Sequence, residues 1–137
     1  CLDAFLDEMG HPSAESISII LSCEHPIHPK AMEAIKKARQ YLIAKKIDIK
    51  IIVEARNLDE VTQILTAGGV YRILLDNFDY ETTKDAVKLI GDQCLTESSG
   101  NINEKTIRNY AECGVNFISS GALTHSIYNL DLSLKAF

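Results

Sequence analysis

Two Ser/Gly turns stand close together in the second half of the chain, Glu97-Ser98-Ser99-Gly100-Asn101 and Ser119-Ser120-Gly121-Ala122-Leu123-Thr124-His125. Each follows a short apolar run of strand type and leads into a helical pattern. Such a turn presents unpaired backbone N–H groups, and the dipole of a following helix adds to their pull on an anion. Two of them on neighbouring strands can grip one phosphate. Ser99, Gly100 and Gly121 are therefore the candidate cradle, and His125, one helical turn past Gly121, is placed to reach the same anion.

Two acidic tips precede these turns. Glu54 ends the run Ile49–Val53, and Asp76 ends Ile73–Leu75. Carboxylates at neighbouring strand ends can hold ribose hydroxyls or share Mg²⁺ with a diphosphate. They can equally cap the helices that follow. Asn77 is placed to orient Asp76, to touch a ligand or to form a turn. Cys23, Glu24, His25 and His28 offer donor atoms, but the spacing C-x-H-x-x-H fits no standard zinc pattern. No Ser/His/Asp set with its usual signature turn is visible.

These tips need a scaffold, and the chain supplies a regular one. Ile17–Leu21 is a β-rich run, and 30–46 carries Met32, Ile35, Ala38, Leu42 and Ile43 at helical spacing. Strand, loop, helix and turn then recur. Asn57 caps a helix containing Leu58, Val61, Ile64 and Leu65, and Gly68-Gly69 closes it. A helix is expected over 82–90 with Ala86, Val87 and Ile90 inward, and another over 103–113 with Asn103 as its cap. Further strands are expected at 94–96, 115–118 and 130–134, and a short helix near Leu123. The strand ends Glu54, Asp76, Ser98 and Ser120 fall 22 residues apart. Such crossovers give parallel strands with helices outside, and polar strand ends then gather on the edge that carries ligands. The fold class expected is α/β, with parallel βα repeats. About five or six strands are legible, whereas a closed eight-stranded barrel typically takes about 250 residues. We favour a partial, incomplete TIM-like α/β barrel over a small open sheet.

The bulk composition fits one globular domain. The chain has 137 residues, 46% hydrophobic and 24% charged. A net charge of −5 argues against a nucleic-acid or anionic-membrane partner. No apolar run approaches the length of a membrane span. The four cysteines form no C-x-x-C pair, so reduced thiols and a cytoplasmic location are expected. The chain opens on Cys1 with no signal-peptide pattern after it, and is expected to be a piece of a longer or trimmed chain.

Residues 52–137 resemble the C-terminal half of the quinolinate phosphoribosyltransferases (nicotinate-nucleotide pyrophosphorylases, carboxylating). The stretches that carry the likeness are Ile52-Val53-Glu54-Ala55-Arg56-Asn57-Leu58-Asp59-Glu60-Val61, Ile73–Phe78 and Glu97–Ile102. Tyr110-Ala111-Glu112-Cys113-Gly114-Val115-Asn116-Phe117-Ile118-Ser119, Gly121-Ala122-Leu123-Thr124-His125-Ser126 and Leu130-Asp131-Leu132-Ser133-Leu134-Lys135 complete it. The resemblance implies transfer of phosphoribosyl from phosphoribosyl diphosphate to the ring nitrogen of quinolinate. Diphosphate and CO₂ leave, and nicotinate mononucleotide forms for NAD synthesis, with Mg²⁺. It implies Glu54 and Asp76 as the acidic pair at the ribose and metal-bound diphosphate, with Asn77 beside them. Ser99, Gly100, Gly121 and His125 correspond to the grip on the 5′-phosphate.

The chain also departs from the family. The family's Lys-Asp/Glu-Asn-His motif before Glu54 corresponds here to Ser22-Cys23-Glu24-His25, without the lysine. Leu2-Asp3-Ala4-Phe5-Leu6 is similar to the family's run into that motif, but Asp7-Glu8-Met9-Gly10-His11 also has no lysine. The family's Gly-Gly is Gly100-Asn101. Residues 1–30 are expected to be a poorly matched segment, and 31–137 the C-terminal part of the barrel. The N-terminal domain and the arginines that hold quinolinate are absent from this sequence. The expectation is a fragment or degenerate form with the phosphoribosyl half of the site and little activity alone. It would pair as a homodimer or with a missing N-terminal half. The alternatives are a non-catalytic phosphate- or nucleotide-binding module and a self-associating half-barrel.

Overall fold

The computed structural model describes residues 18–21 and 29–125. The segment 2–9, the Cys23–His28 donor cluster and the 130–134 strand expected from sequence lie outside these residues.

Ten elements alternate along the chain: β1 (Ser18–Leu21), α1 (Pro29–Lys45), β2 (Lys50–Ala55), α2 (Leu58–Ala67), β3 (Arg72–Asp76), α3 (Tyr80–Ile90), β4 (Leu95–Ser99), α4 (Ile107–Glu112), β5 (Phe117–Ile118) and α5 (Ala122–His125). The five strands form one sheet in the order β1-β2-β3-β4-β5, every pair parallel. A doubly wound sheet reverses its order at a switch point. An unbroken sequential order is the winding of an α/β barrel, so the fold is a sector of one.

Local chemistry explains the elements. Pro29 opens α1, where its missing N–H costs nothing. Asn57 caps α2 by accepting the Glu60 N–H at 2.9 Å, and the Glu60 carboxylate reaches back to the Arg56 N–H at 2.8 Å. Asp79 caps α3 by accepting the Thr82 N–H at 2.7 Å, so the helix starts at Tyr80. The helix expected over 103–113 with Asn103 as its cap forms only over Ile107–Glu112. Asn103 accepts the Lys105 N–H at 2.9 Å and donates its own N–H to the Thr106 hydroxyl at 3.0 Å. That Asx turn delays α4 to Ile107. Strand β5 is likewise shorter than expected. The Asn116 side chain accepts the Thr96 N–H at 2.8 Å, taking a place the backbone ladder would fill.

One face of the sheet packs on the helices. Ile51, Val53, Ala55, Ile73 and Leu75 meet Ile35, Ala38, Leu42, Val61, Ile64, Ala86 and Ile90 in a buried core. Ile73 and Leu75 are fully buried, each contributing on the order of 2 kcal/mol by removal from water. Ile43 was expected in the apolar stripe of α1 but is 68% exposed, because the stripe runs through Ile35, Ala38 and Leu42. The alternate strand residues, Ile52, Glu54, Arg72, Leu74, Asp76, Leu95 and Glu97, fall on the opposite face. In barrel geometry that is the interior.

Candidate functional site at the carboxyl edge of the sheet

All four tips lie at the carboxyl ends of parallel strands. Glu54 is the penultimate residue of β2 and Asp76 the last of β3. Ser99 ends β4 with Gly100 next, and Gly121 stands between β5 and α5. The even spacing of 22 is not the sheet register. Glu54 pairs with Leu74, Leu74 with Glu97 and Glu97 with Phe117, steps of 20, 23 and 20 residues. Relative to this level Ser98 lies one residue further along its strand and Asp76 two, a stagger of about 7 Å. Asp76 and Ser99 are register partners, so the second acidic tip adjoins the first Ser/Gly turn.

Asn77 joins these two tips. It is held at φ 56° and donates its backbone N–H to the Ser99 carbonyl at 2.9 Å. Its side-chain amide donates to Asp76 Oδ2 at 3.0 Å and accepts from Asn101 Nδ2 at 3.0 Å. Gly100 has φ 92° and lies so close that a Cβ there would overlap the Asn77 amide. Asn77 is thus a turn residue whose amide bonds the Asp76 carboxylate. Asn101 stands where the family pattern has a second glycine, and its side chain closes this clip.

On the other strand ends, Arg56 Nε donates to Glu54 Oε1 at 3.3 Å. Among the described residues, Glu54 Oε2 and Asp76 Oδ1 carry no hydrogen bond, so each acid keeps one oxygen open. A hard cation bound through one or two carboxylates plus substrate phosphates fits that donor set. Among the described residues no group of three His, Cys, Asp or Glu gathers to make an all-protein metal cage. The two Ser/Gly turns touch, for the Ser120 hydroxyl donates to the Ile102 carbonyl at 2.5 Å. His125 is the last residue of α5. The helices after the turns are short, and α4 begins seven residues past Gly100. Any anion grip there comes from turn amides more than from a helix dipole.

Sequence reasoning passed over a second polar group on the same face. Glu97 is 7% exposed and pairs with Arg72 Nη1 at 2.5 Å. The Ser119 hydroxyl donates to its other oxygen. The Arg72 guanidinium lies over the Phe117 ring, 3.9 Å from the centroid. The available signal was charge inside apolar strand runs, 25 residues apart and so close to the strand-to-strand step.

A cavity of about 390 Å³ lies at this edge, between the turns after β2 and β3, lined in part by Arg56, Asn57, Asp59, Asn77 and Asp79. The Thr82 side chain and backbone hold the Asp79 carboxyl below the usual carboxylate range. Another hollow, of about 470 Å³, opens at the far, amino end of the sheet beside Arg39, Lys46 and Tyr71. In barrels of this kind chemistry sits at the carboxyl edge, yet of the candidate residues only Asn77 lines the first hollow. Among the described residues, no helix is long and apolar enough to cross a membrane.

Comparison with known proteins gives the same picture. Residues 19–135 match the family model for the quinolinate phosphoribosyl transferase C-terminal domain. The chain is 42% identical over 118 residues to the chloroplastic nicotinate-nucleotide pyrophosphorylase (carboxylating) of Arabidopsis thaliana, covering 76% of this chain and 34% of that protein. It is 38% identical to the probable nicotinate-nucleotide pyrophosphorylase (carboxylating) of Methanocaldococcus jannaschii, covering 74% of this chain and 37% of the relative. The crystal structure of NadC from Streptococcus pyogenes superposes with a TM-score of 0.73 at 33% identity, over 92% of this chain and 43% of that one. The chain thus spans about a third of the length of these curated relatives. By the extent of the family match and by its sequential βα sector, the chain belongs to the quinolinate phosphoribosyl transferase family, in the part that forms the C-terminal domain.

Proposed function

We propose that this chain supplies the phosphoribosyl diphosphate half of a quinolinate phosphoribosyltransferase site. One observation carries the reading: Glu54, Asp76, the Ser99-Gly100 turn and the Gly121 turn share one edge of a parallel sheet. In the reaction, the quinolinate ring nitrogen bonds to the anomeric carbon as the carbon–oxygen bond to diphosphate breaks. The ring carbon–carboxylate bond beside that nitrogen then breaks, CO₂ leaves, and a proton from solvent takes up the electron pair on the ring carbon to give nicotinate mononucleotide. A loose, cation-like ribosyl transition state gains from carboxylates fixed nearby. Glu54 and Asp76 face the ribose and diphosphate, with Asn77 holding Asp76 in place. Ser99, Gly100, Gly121 and His125 receive the 5′-phosphate. Mg²⁺ would be held by the open oxygens of Glu54 and Asp76 and would neutralise charge on the departing diphosphate.

On this reading the barrel part already includes β1, ahead of the boundary expected at residue 31, and the family match begins at residue 19. Quinolinate carries two carboxylates and needs cations to hold it. A second subunit of a homodimer, or an N-terminal half, supplies them. The setting is the cytoplasm, in keeping with the free thiols of Cys94 and Cys113.

Calorimetric titration with ribose 5-phosphate tests the binding half, and a turnover assay with both substrates tests the division of labour. Binding with little nicotinate mononucleotide formed is the expected pair of results. Robust turnover by the chain alone would overturn the division, and no binding by folded protein would overturn the reading. The Ser22-Cys23-Glu24-His25 stretch, without the family's lysine, also favours a second reading, a phosphate-binding module that never turns over. Binding that persists with no turnover after the missing half is supplied would select it.

A further inference from the structure

Glu97, Arg72 and Ser119 are not needed by the chemistry above, yet they form a buried ionic group directly beneath it. Glu97 accepts Arg72 on one carboxylate oxygen and the Ser119 hydroxyl on the other. Arg72 is pinned between that carboxylate and the Phe117 ring, and its Nε is buried without a partner among the described residues. Three adjacent strands are thereby tied on the inner face. A buried ion pair with an orphaned donor is a poor way to stabilise a core, since apolar residues of similar volume do as well or better. Its place needs another reason.

Ser119 gives that reason. Its backbone N–H closes the last rung of the β4–β5 ladder, on the Ser98 carbonyl at 2.9 Å. The next two residues are Ser120 and Gly121 of the second turn. Strand β5 has only two residues, so side-chain bonds, that of the Ser119 hydroxyl to Glu97 and that of the Ser120 hydroxyl to the Ile102 carbonyl, share in holding the turn in register. We infer that the Arg72–Glu97 pair positions the Gly121 turn through the Ser119 hydroxyl, and so sets one jaw of the phosphate grip. The role in ligand binding rests on the function proposed above; the role in fixing the turn does not. Glu97 and Arg72 are positioning residues here, and Asn77 with Asn101 does the corresponding task for the Gly100 jaw.

Amide hydrogen exchange by NMR tests this without a ligand. A hydrogen bond to a buried carboxylate is among the stronger kinds. In Ser119→Ala, exchange at residues 119–121 should rise about tenfold, while Asn77 and the Gly100 turn stay unchanged. Ser119→Thr keeps a hydroxyl and should restore protection. Glu97→Gln should loosen the same amides, and the double variant should add little to either single change. Ribose 5-phosphate affinity should fall in Ser119→Ala and recover in Ser119→Thr. Unchanged exchange at 119–121 in both single variants would overturn the inference. If the wild type binds no ribose 5-phosphate, the proposed function falls, and the exchange data still decide whether the pair fixes the turn.

Discussion

Replacing Gly100 by alanine is predicted to be the most damaging one-carbon change at this edge. Gly100 sits at φ 92°, which costs a residue with a Cβ about 1–2 kcal/mol. The new Cβ would also lie 2.9 Å from the Asn77 backbone nitrogen and overlap its side-chain amide. Relief requires Asn77 to move, and its side chain makes the bonds to Asp76 and Asn101, each 3.0 Å long. Losing both at exposed positions adds about 0.5–1 kcal/mol each. The total is about 2–4 kcal/mol. Gly69→Ala is the matched control. Its φ of 72° is similarly unfavourable, but the Cβ would meet only the flexible end of Arg39. That change should cost about 1 kcal/mol. Urea unfolding followed by circular dichroism reads both as midpoint shifts at constant slope, about 1–2 M for Gly100→Ala. Equal losses in the two variants, or a smaller one at Gly100, would refute the packing of Asn77 against this turn.

Other predictions concern single groups. Arg72→Met leaves the Glu97 carboxylate buried without its cation and should cost about 3 kcal/mol in urea unfolding, whereas Arg72→Met with Glu97→Leu should return close to wild type. Asp79 is held below its ordinary value by Thr82, so its capping contribution is present above about pH 4 and fades as pH falls through the lowered value. Asp79→Asn keeps a cap and should flatten that part of the acid-unfolding curve. Burial pushes the Cys94 and Cys113 thiols up, so both should react slowly with a thiol reagent at neutral pH and faster in urea.

Much of the scaffold was legible because each repeat carries its own punctuation. Asn57 before Leu58 and the glycines at 68 and 69 mark α2 by cap chemistry that acts locally. The apolar runs of β2 and β3 and the polar residue ending each run mark the strands and the edge. Local signals failed where side chains took over from the backbone. Asn116 bonds Thr96 across the sheet and shortens β5, and the Asn103 and Thr106 pair shortens α4. The candidate tips were readable as residue types, but their stagger was not, since register depends on pairing between strands. Glu97 and Arg72 were visible as charges at strand runs but not as a pair, for the same reason. Each looks like an interruption of an apolar run until the register sets them on one face.

Glu54 and Asp76 are proposed to face one ligand from neighbouring strand ends. Calorimetric titration of phosphoribosyl diphosphate into the chain, with and without Mg²⁺, measures this most directly when repeated on Glu54→Gln and Asp76→Asn. Binding should strengthen with Mg²⁺ in the wild type, and most of that gain should be lost in either variant while the fold is unchanged. Binding of equal strength in all three proteins, indifferent to Mg²⁺, would contradict it.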